Sequence, residues 1–325
     1  MAATLTTRLN DYMAWLLGER AYGWRRFHLF DFLEGIDMAV VKRESGGIKK
    51  KKRREKEEEP REKFTLSQEL TKPSNRLEDY IILLTGEKKI GKTTLAAEFS
   101  PEGSYFLATE IGYRGLEIRK SDIPDWRTAR DAAKALQKSG KKFGPIIVDT
   151  VDKLYDLCDR FTCEKQGIQH LSDADWGKGY SECRKEFDRF ISTLSQIGVG
   201  LILITHTEER EVKRRGGDTY DRIVPTMSKQ ARQVIEPLVD IWTYYMYDGN
   251  RRVLVIQGDD HISAGHRLVN RFRTPAGKPV RQIDMGRSAK RGYRNLVAAF
   301  NNEYEPPEDR EEGEPKKRFT IRKKS

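Results

Sequence analysis

Two glycines five residues apart, followed by a lysine and two hydroxyls, are the residues best suited to chemistry: Ile81-Ile82-Leu83-Leu84-Thr85-Gly86-Glu87-Lys88-Lys89-Ile90-Gly91-Lys92-Thr93-Thr94. A loop that wraps a phosphate must turn its backbone N–H groups inward, and side chains at the turning points obstruct that, so Gly86 and Gly91 fit the task. The expected nucleotide-binding loop runs through Gly86, Glu87, Lys88, Lys89, Ile90, Gly91, Lys92, Thr93 and Thr94. In it Lys92 supplies a charge for the β- and γ-phosphates and the Thr93 hydroxyl a ligand for Mg²⁺. Thr94 opens a helix whose N-terminal dipole adds to the attraction.

Three further residues end apolar runs. Asp149 closes "IIVD", which puts a carboxylate at a strand end beside the loop, where it can hold the metal through water. Glu110 closes "YFLATE" and is the candidate for orienting the attacking water, because phosphoryl transfer depends mainly on positioning and charge stabilisation. His206 closes "LILITH" and can sense whether the γ-phosphate is present, passing that on to the segment behind it.

The elements that must place these residues alternate apolar runs with helical patterns, as a parallel sheet with crossover helices does. Strands are expected at 80–85, 104–109, 145–149, 200–205, 240–247 and 252–257, and helices near 92–99, 126–137, 151–164 and 180–196. "DIWTYYMY" and "RRVLVIQ", joined by Asp248-Gly249-Asn250, read as a hairpin. "TEEREVKRRGGDTYDRIVPTMSK", behind His206, reads as a mobile loop in which Lys213, Arg214 and Arg215 are the candidates for phosphate contacts.

Composition bounds the rest. The chain has 325 residues, 34% of them charged and 37% hydrophobic, and a formal net charge of +11. That excess suits either a polyanionic partner or plain solubility. Cys158, Cys163 and Cys183 form no CxxC pair, and with His170 their spacing does not suit zinc. Their odd number and the lack of a signal-peptide pattern lead us to expect a soluble, cytoplasmic protein, and no run reaches the ~18 apolar residues of a membrane span.

Four divisions are expected. Residues 1–37 form an N-terminal extension. Part of it reads as an amphipathic helix that packs or binds a partner, but Leu33–Asp37 can also be encoded by a purine-rich tract ahead of Met38, so translation from Met38 is the other reading. Residues 38–77 form a charged linker, 78–300 the nucleotide-binding domain, and 301–325 a disordered, charged tail.

"GEKKIGKTT", "FLATE", "IIVDT" and "LILITH", in that order, resemble the RecA-like P-loop ATPase core. The closest resemblance is to phage RecA-like proteins that assist single-strand annealing recombination, with KaiC and DnaB-type ATPases more distant. It covers residues 78–300 and implies an α/β fold with a mostly parallel sheet, helices on both faces and an antiparallel hairpin end. It also implies ATP and Mg²⁺ as cofactors, Lys92 and Thr93 as the Walker A pair, Asp149 as the Walker B acid and Glu110 as the catalytic glutamate. His206 stands where RecA and DnaB proteins commonly carry glutamine.

The segments after Cys163 and after His206 fall where the family places its DNA-binding loops. The first holds Trp176 and Tyr180, which either stack on bases or pack beneath the loop. "RLVNRFRTPAGKPVRQIDMG" resembles the hairpin on which ring ATPases present a lysine and an arginine to the next subunit; Arg271 matches the arginine, with Arg273 near it, but Val269 stands at the lysine position. The partners implied are single-stranded DNA, further copies in a ring or filament, and a single-strand-binding or annealing protein docked through the C-terminal tail. If the chain is phage-encoded, the location implied is the host cytoplasm. A KaiC-like regulator of protein partners and a DnaB-like helicase motor stay open beside recombination, whereas a guanine-reading NKxD and an ABC-type LSGGQ segment do not occur.

Overall fold

An apolar run buried on both faces marks a central parallel strand, and Ile81–Gly86 (β1) is buried from its second residue onward. The fold around it was read from a computed structural model, which describes Leu66 and residues 69–100, 103–214 and 216–307. The expectations for residues 1–37, for the linker as far as 65 and for the tail beyond 307 lie outside the described residues, as does Arg215. Packing divides the chain into Met1–Gln68 and Glu69–Ser325, and the elements below belong to the second unit.

After β1 come α1 (Lys92–Ala97), β2 (Tyr105–Ala108), β3 (Lys120–Asp122), α2 (Trp126–Ser139), β4 (Ile146–Asp149), α3 (Val151–Gln166) and α4 (Lys178–Ser195). The second half holds β5 (Leu201–Lys213), β6 (Thr219–Pro225), α5 (Lys229–Leu238), β7 (Ile241–Asp248), β8 (Arg251–Val255), β9 (Gly265–His266), β10 (Gln282–Asp284) and α6 (Ala289–Phe300). The strand order is β10-β8-β7-β1-β5-β4-β2-β3, with β6 on β5 and β9 on β7. From β7 to β3 all neighbours are parallel; β8 and β10 close the other end antiparallel. This is the expected α/β class, a mostly parallel sheet with an antiparallel end.

Strand alternation feeds two cores. Leu83, Val148, Leu201 and Leu203 face α2 to α5, while Ile82, Leu84, Ile147, Ile202 and Ile204 face α1, α6 and the β8–β10 end. Helix α2 shows why the sequence takes this form: Asp125 accepts from the Thr128 amide at 2.8 Å as its cap, and Trp126, Ala129, Ala133 and Leu136 bury one stripe. Among the described residues no helix is long and apolar enough to cross a membrane. The three cysteines are free and buried, with Cys158 and Cys183 sulfurs 3.8 Å apart.

One expectation needs correction. The segment behind His206 is not a loop: β5 continues to Lys213 and pairs antiparallel with β6 from Thr207↔Pro225 to Lys213↔Thr219. The reversal falls where Gly217 takes a left-handed φ of 96°. Mixed charges on exposed strands hide a hairpin, because a two-stranded ribbon has little apolar surface to reveal its period.

Candidate active site

Register brings the strand ends together. Gly86 lies opposite His206 across β1 and β5, Ala108 lies opposite Asp149 across β2 and β4, and Glu110 follows two residues later. Ligands of open α/β sheets bind at this carboxyl edge. A cleft of about 500 Å³ opens there, lined by Lys88, Lys89, Gly91, Lys92, Thr93 and Thr94 of the loop and by Glu110, Asp149 and His206 along the sheet edge. Ile90 instead buries its side chain in the core, so it can offer only backbone to a ligand.

The loop shape depends on its glycines. A Cβ on Gly86 would meet the Tyr245 carbonyl oxygen at 2.3 Å, and Gly91 starts α1 from a φ of 106° that side chains disfavour. α1 ends at Ala97, so it is shorter than expected, and its contribution as a dipole is correspondingly small.

Lys92 is buried, with Nζ 2.8 Å from the Gly86 carbonyl, 2.7 Å from that of Glu87 and 3.2 Å from His206 Nδ1. Burial pulls its ammonium down to about 8, against Asp149, Asp152, Glu110 and Glu87, which hold it up. The Thr93 hydroxyl donates to Asp149 Oδ2 at 2.6 Å. Burial raises the Asp149 carboxyl, and this hydrogen bond with the nearby Lys92 works in the opposite direction. A buried carboxylate touching a hydroxyl, with a lysine beside them, is the donor set a hard, oxygen-seeking cation and a phosphate would use.

Glu110 is aimed by two neighbours. Thr150 Oγ1 donates to its Oε1 at 3.2 Å, and His206 Nε2 stands 3.6 Å from Oε2. An ammonium at Nδ1 makes that nitrogen the acceptor, which leaves Nε2–H facing Glu110. Thr109 Oγ1 in turn accepts from the Thr150 amide at 2.8 Å. Neither threonine was singled out in the sequence, although Thr150 directly follows the strand-end acid.

The remaining candidates lie outside the cleft. Arg214 pairs with Asp260 at 2.8 Å and covers the Tyr220 ring, while Lys213 ends β5 exposed. Trp176 is 104% exposed and takes a left-handed φ of 55°, so it does not pack beneath its loop. Arg271 donates to Asn75 Oδ1 at 2.6 Å and to the Ser74 carbonyl at 3.3 Å, and lies over Phe300. Val269 is exposed.

A family of AAA domains (AAA_24) matches residues 78–268, which spans the phosphate loop, Glu110, Asp149 and His206. The chain belongs to this AAA domain family. A relative of the AAA domain chain is the SPbeta prophage-derived uncharacterized protein YorG of Bacillus subtilis (strain 168), 25% identical over 190 residues. That match takes in 55% of this chain and 55% of the relative, so the chain spans about half the length of the curated relative it matches. Among solved structures, the RadB recombinase is 12% identical at a TM-score of 0.38, covering 66% of this chain and 89% of its own. A KaiC-like protein from Pyrococcus horikoshii OT3 is 14% identical at 0.34, covering 64% and 85%.

Proposed function

We propose that this AAA domain chain hydrolyses ATP and binds single-stranded DNA to assist homologous recombination or single-strand annealing, assembled as a ring or filament. The observation that carries the hydrolytic part is the convergence of Lys92, Thr93, Asp149 and Glu110 on one cleft, with His206 touching both Lys92 and the side of Glu110. Bound ATP with Mg²⁺ supplies the electrophilic γ-phosphorus and its charge neutralisation, and the Thr93 hydroxyl and Asp149 carboxylate are the groups that would hold the metal. Lys92 binds terminal phosphate oxygens. Glu110, fixed by Thr150, orients a water and takes its proton at Oε.

His206 starts the exposed half of β5, so a change at the phosphates reaches the β5–β6 hairpin through one residue. The DNA part of the proposal rests on the basic balance of the chain, on exposed Trp176 and on Lys213 and Arg214 at the hairpin tip, with Arg215 next to them in sequence. A phage-encoded protein of this kind would work in the host cytoplasm, with the C-terminal tail docking an annealing or single-strand-binding protein.

A second reading follows from the hairpin. With Arg214 already tied to Asp260, part of the tip charge is committed within the chain. A nucleotide-dependent regulator acting on a protein partner would use that ordered hairpin as its contact surface. Phosphate release measured with and without single-stranded DNA, over a range of protein concentration, separates the two. Turnover that rises with DNA and is abolished by Lys92→Ala supports the first reading; turnover indifferent to DNA, with no DNA retained, leaves the second.

A further inference from the structure

A second cleft, of about 590 Å³, lies between the β5–β6 hairpin, α5, the start of β7 and β9. None of its residues lines the phosphate-loop cleft. Arg210 and Arg222 enter it from opposite hairpin strands, Arg232 from α5 and Arg267 from beyond β9.

Their charges are not equally matched. Arg232 pairs with Glu236 at 2.6 Å, Arg267 donates to the Pro237 carbonyl at 2.8 Å and faces Asp240 at 3.8 Å, and Arg210 pairs with Glu208. Among the described residues the Arg222 side chain has no such partner, and its Nε is buried unpaired. It sits directly opposite Arg210 in the hairpin register, a destabilising juxtaposition of like charges that Glu208 offsets on the Arg210 side alone.

The nitrogens tell the same story. Among the described residues, five buried side-chain polar atoms lack a partner, and Arg222 Nε, Trp242 Nε1 and His266 Nδ1 are three of them. All three residues line this cleft with the nitrogens themselves covered, so an acceptor meets them only when the side chains turn toward it. Arginine and tryptophan nitrogens only donate, so the missing partner is an acceptor. Four guanidinium groups against the two lining carboxylates, Glu236 and Asp240, leave an excess of positive charge that favours an anion over a cation or an apolar ligand. A phosphoryl group presents three oxygens in different directions, so it can take a fork from each of two facing guanidiniums, where a planar carboxylate offers only two oxygens on one edge.

We propose that this cleft binds a phosphoryl group between Arg210 and Arg222, with Trp242 beside it, the group being carried either by a free phosphate compound or by a nucleic-acid strand. The proposal does not rest on ATP hydrolysis, since it uses none of those residues.

Trp242 makes the site readable by its own fluorescence. The full chain is titrated with inorganic pyrophosphate and, separately, with a short thymidine oligonucleotide, and a response that is lost in Trp242→Phe is assigned to this cleft. Arg222→Ala weakens that response about tenfold or more, the expected loss for a charge-assisted hydrogen bond, and Arg222→Lys, which keeps charge without the fork, weakens it less. Lys92→Ala leaves it in place. Circular dichroism melting checks that each variant folds, and Arg222→Lys carries the test if Arg222→Ala does not. Saturation by pyrophosphate without competition from the oligonucleotide names a free phosphate compound; a tighter response to the oligonucleotide names a strand. The idea is overturned if neither probe gives a Trp242-dependent signal, if the folded Arg222 variants bind as the parent does, or if Lys92→Ala removes the signal.

Discussion

His206 Nδ1 lies 3.2 Å from Lys92 Nζ, while its other ring nitrogen faces Glu110 at 3.6 Å. His206, midway along β5, therefore joins the Lys92 ammonium to the Glu110 carboxylate, the groups proposed to bind phosphate and to orient water. That link gives distinct expectations for the two groups it touches.

Glu110→Gln keeps the Thr150 contact but removes the proton acceptor. Turnover falls about a hundredfold or more, in the range for loss of a general base, with ATP affinity little changed. Steady-state kinetics beside direct nucleotide binding makes the comparison. A variant that binds weakly yet turns over at the parent rate would assign Glu110 to binding and not to chemistry.

Lys92 gives a pH signature. Its folded-state pKa of about 8 lies below the ordinary 10.5, so the folded protein holds fewer protons than the unfolded chain between these values. Stability from this group therefore rises with pH across that window, by about 3 kcal/mol in all. Lys92→Met lacks the effect. Urea unfolding at pH 7.5 and at pH 10 should show the parent gaining on the variant, and equal shifts would contradict the burial argument. In kinetics the same group predicts an alkaline loss of kcat/KM near pH 8, as the cation for the phosphates is discharged.

Much of the core was legible because its signals are local. The apolar run of β1, the acid ending β4 and the stripe of α2 each declare themselves within a few residues. The edge strand Lys120–Asp122 did not, since three polar residues carry no period and only β2 makes them a strand. Helix α6 buries Gly292, Leu296, Ala299 and Phe300 at helical spacing, but it follows a stretch read for its basic hairpin. The Lys92–His206 contact was out of reach for a different reason. Those residues are far apart in sequence, and only the Gly86↔His206 register brings them together.

Arg271 has a role within its own chain. Arg271→Ala removes the bonds to Asn75 and Ser74 and the contact over Phe300, and should cost about 1–2 kcal/mol of stability. Thermal or urea unfolding measures that directly. An arginine that served only a neighbouring subunit would leave monomer stability unchanged and would lower turnover only at protein concentrations where copies assemble.

Thr226 ties the end of β6 back to the cleft, and this is the test of whether the hairpin and the nucleotide site are mechanically joined. Its amide donates to the His206 carbonyl at 3.0 Å, and its hydroxyl donates to Asp152 Oδ2 at 2.6 Å. Among the described residues the other Asp152 oxygen is buried without a partner, so the hydroxyl is an important contact for that carboxylate. Thr226→Val keeps the shape and the amide bond but strands the acid, which should lower stability by about 1–3 kcal/mol. Because His206 sits between Lys92 and the hairpin, the same change should blunt any response of turnover to ligands of the hairpin while leaving basal turnover within a few-fold. Unfolding curves and ligand-stimulated phosphate release, taken on one preparation, check both parts; a variant as stable and as responsive as the parent would show that Asp152 finds its compensation elsewhere and that the hairpin moves independently of His206.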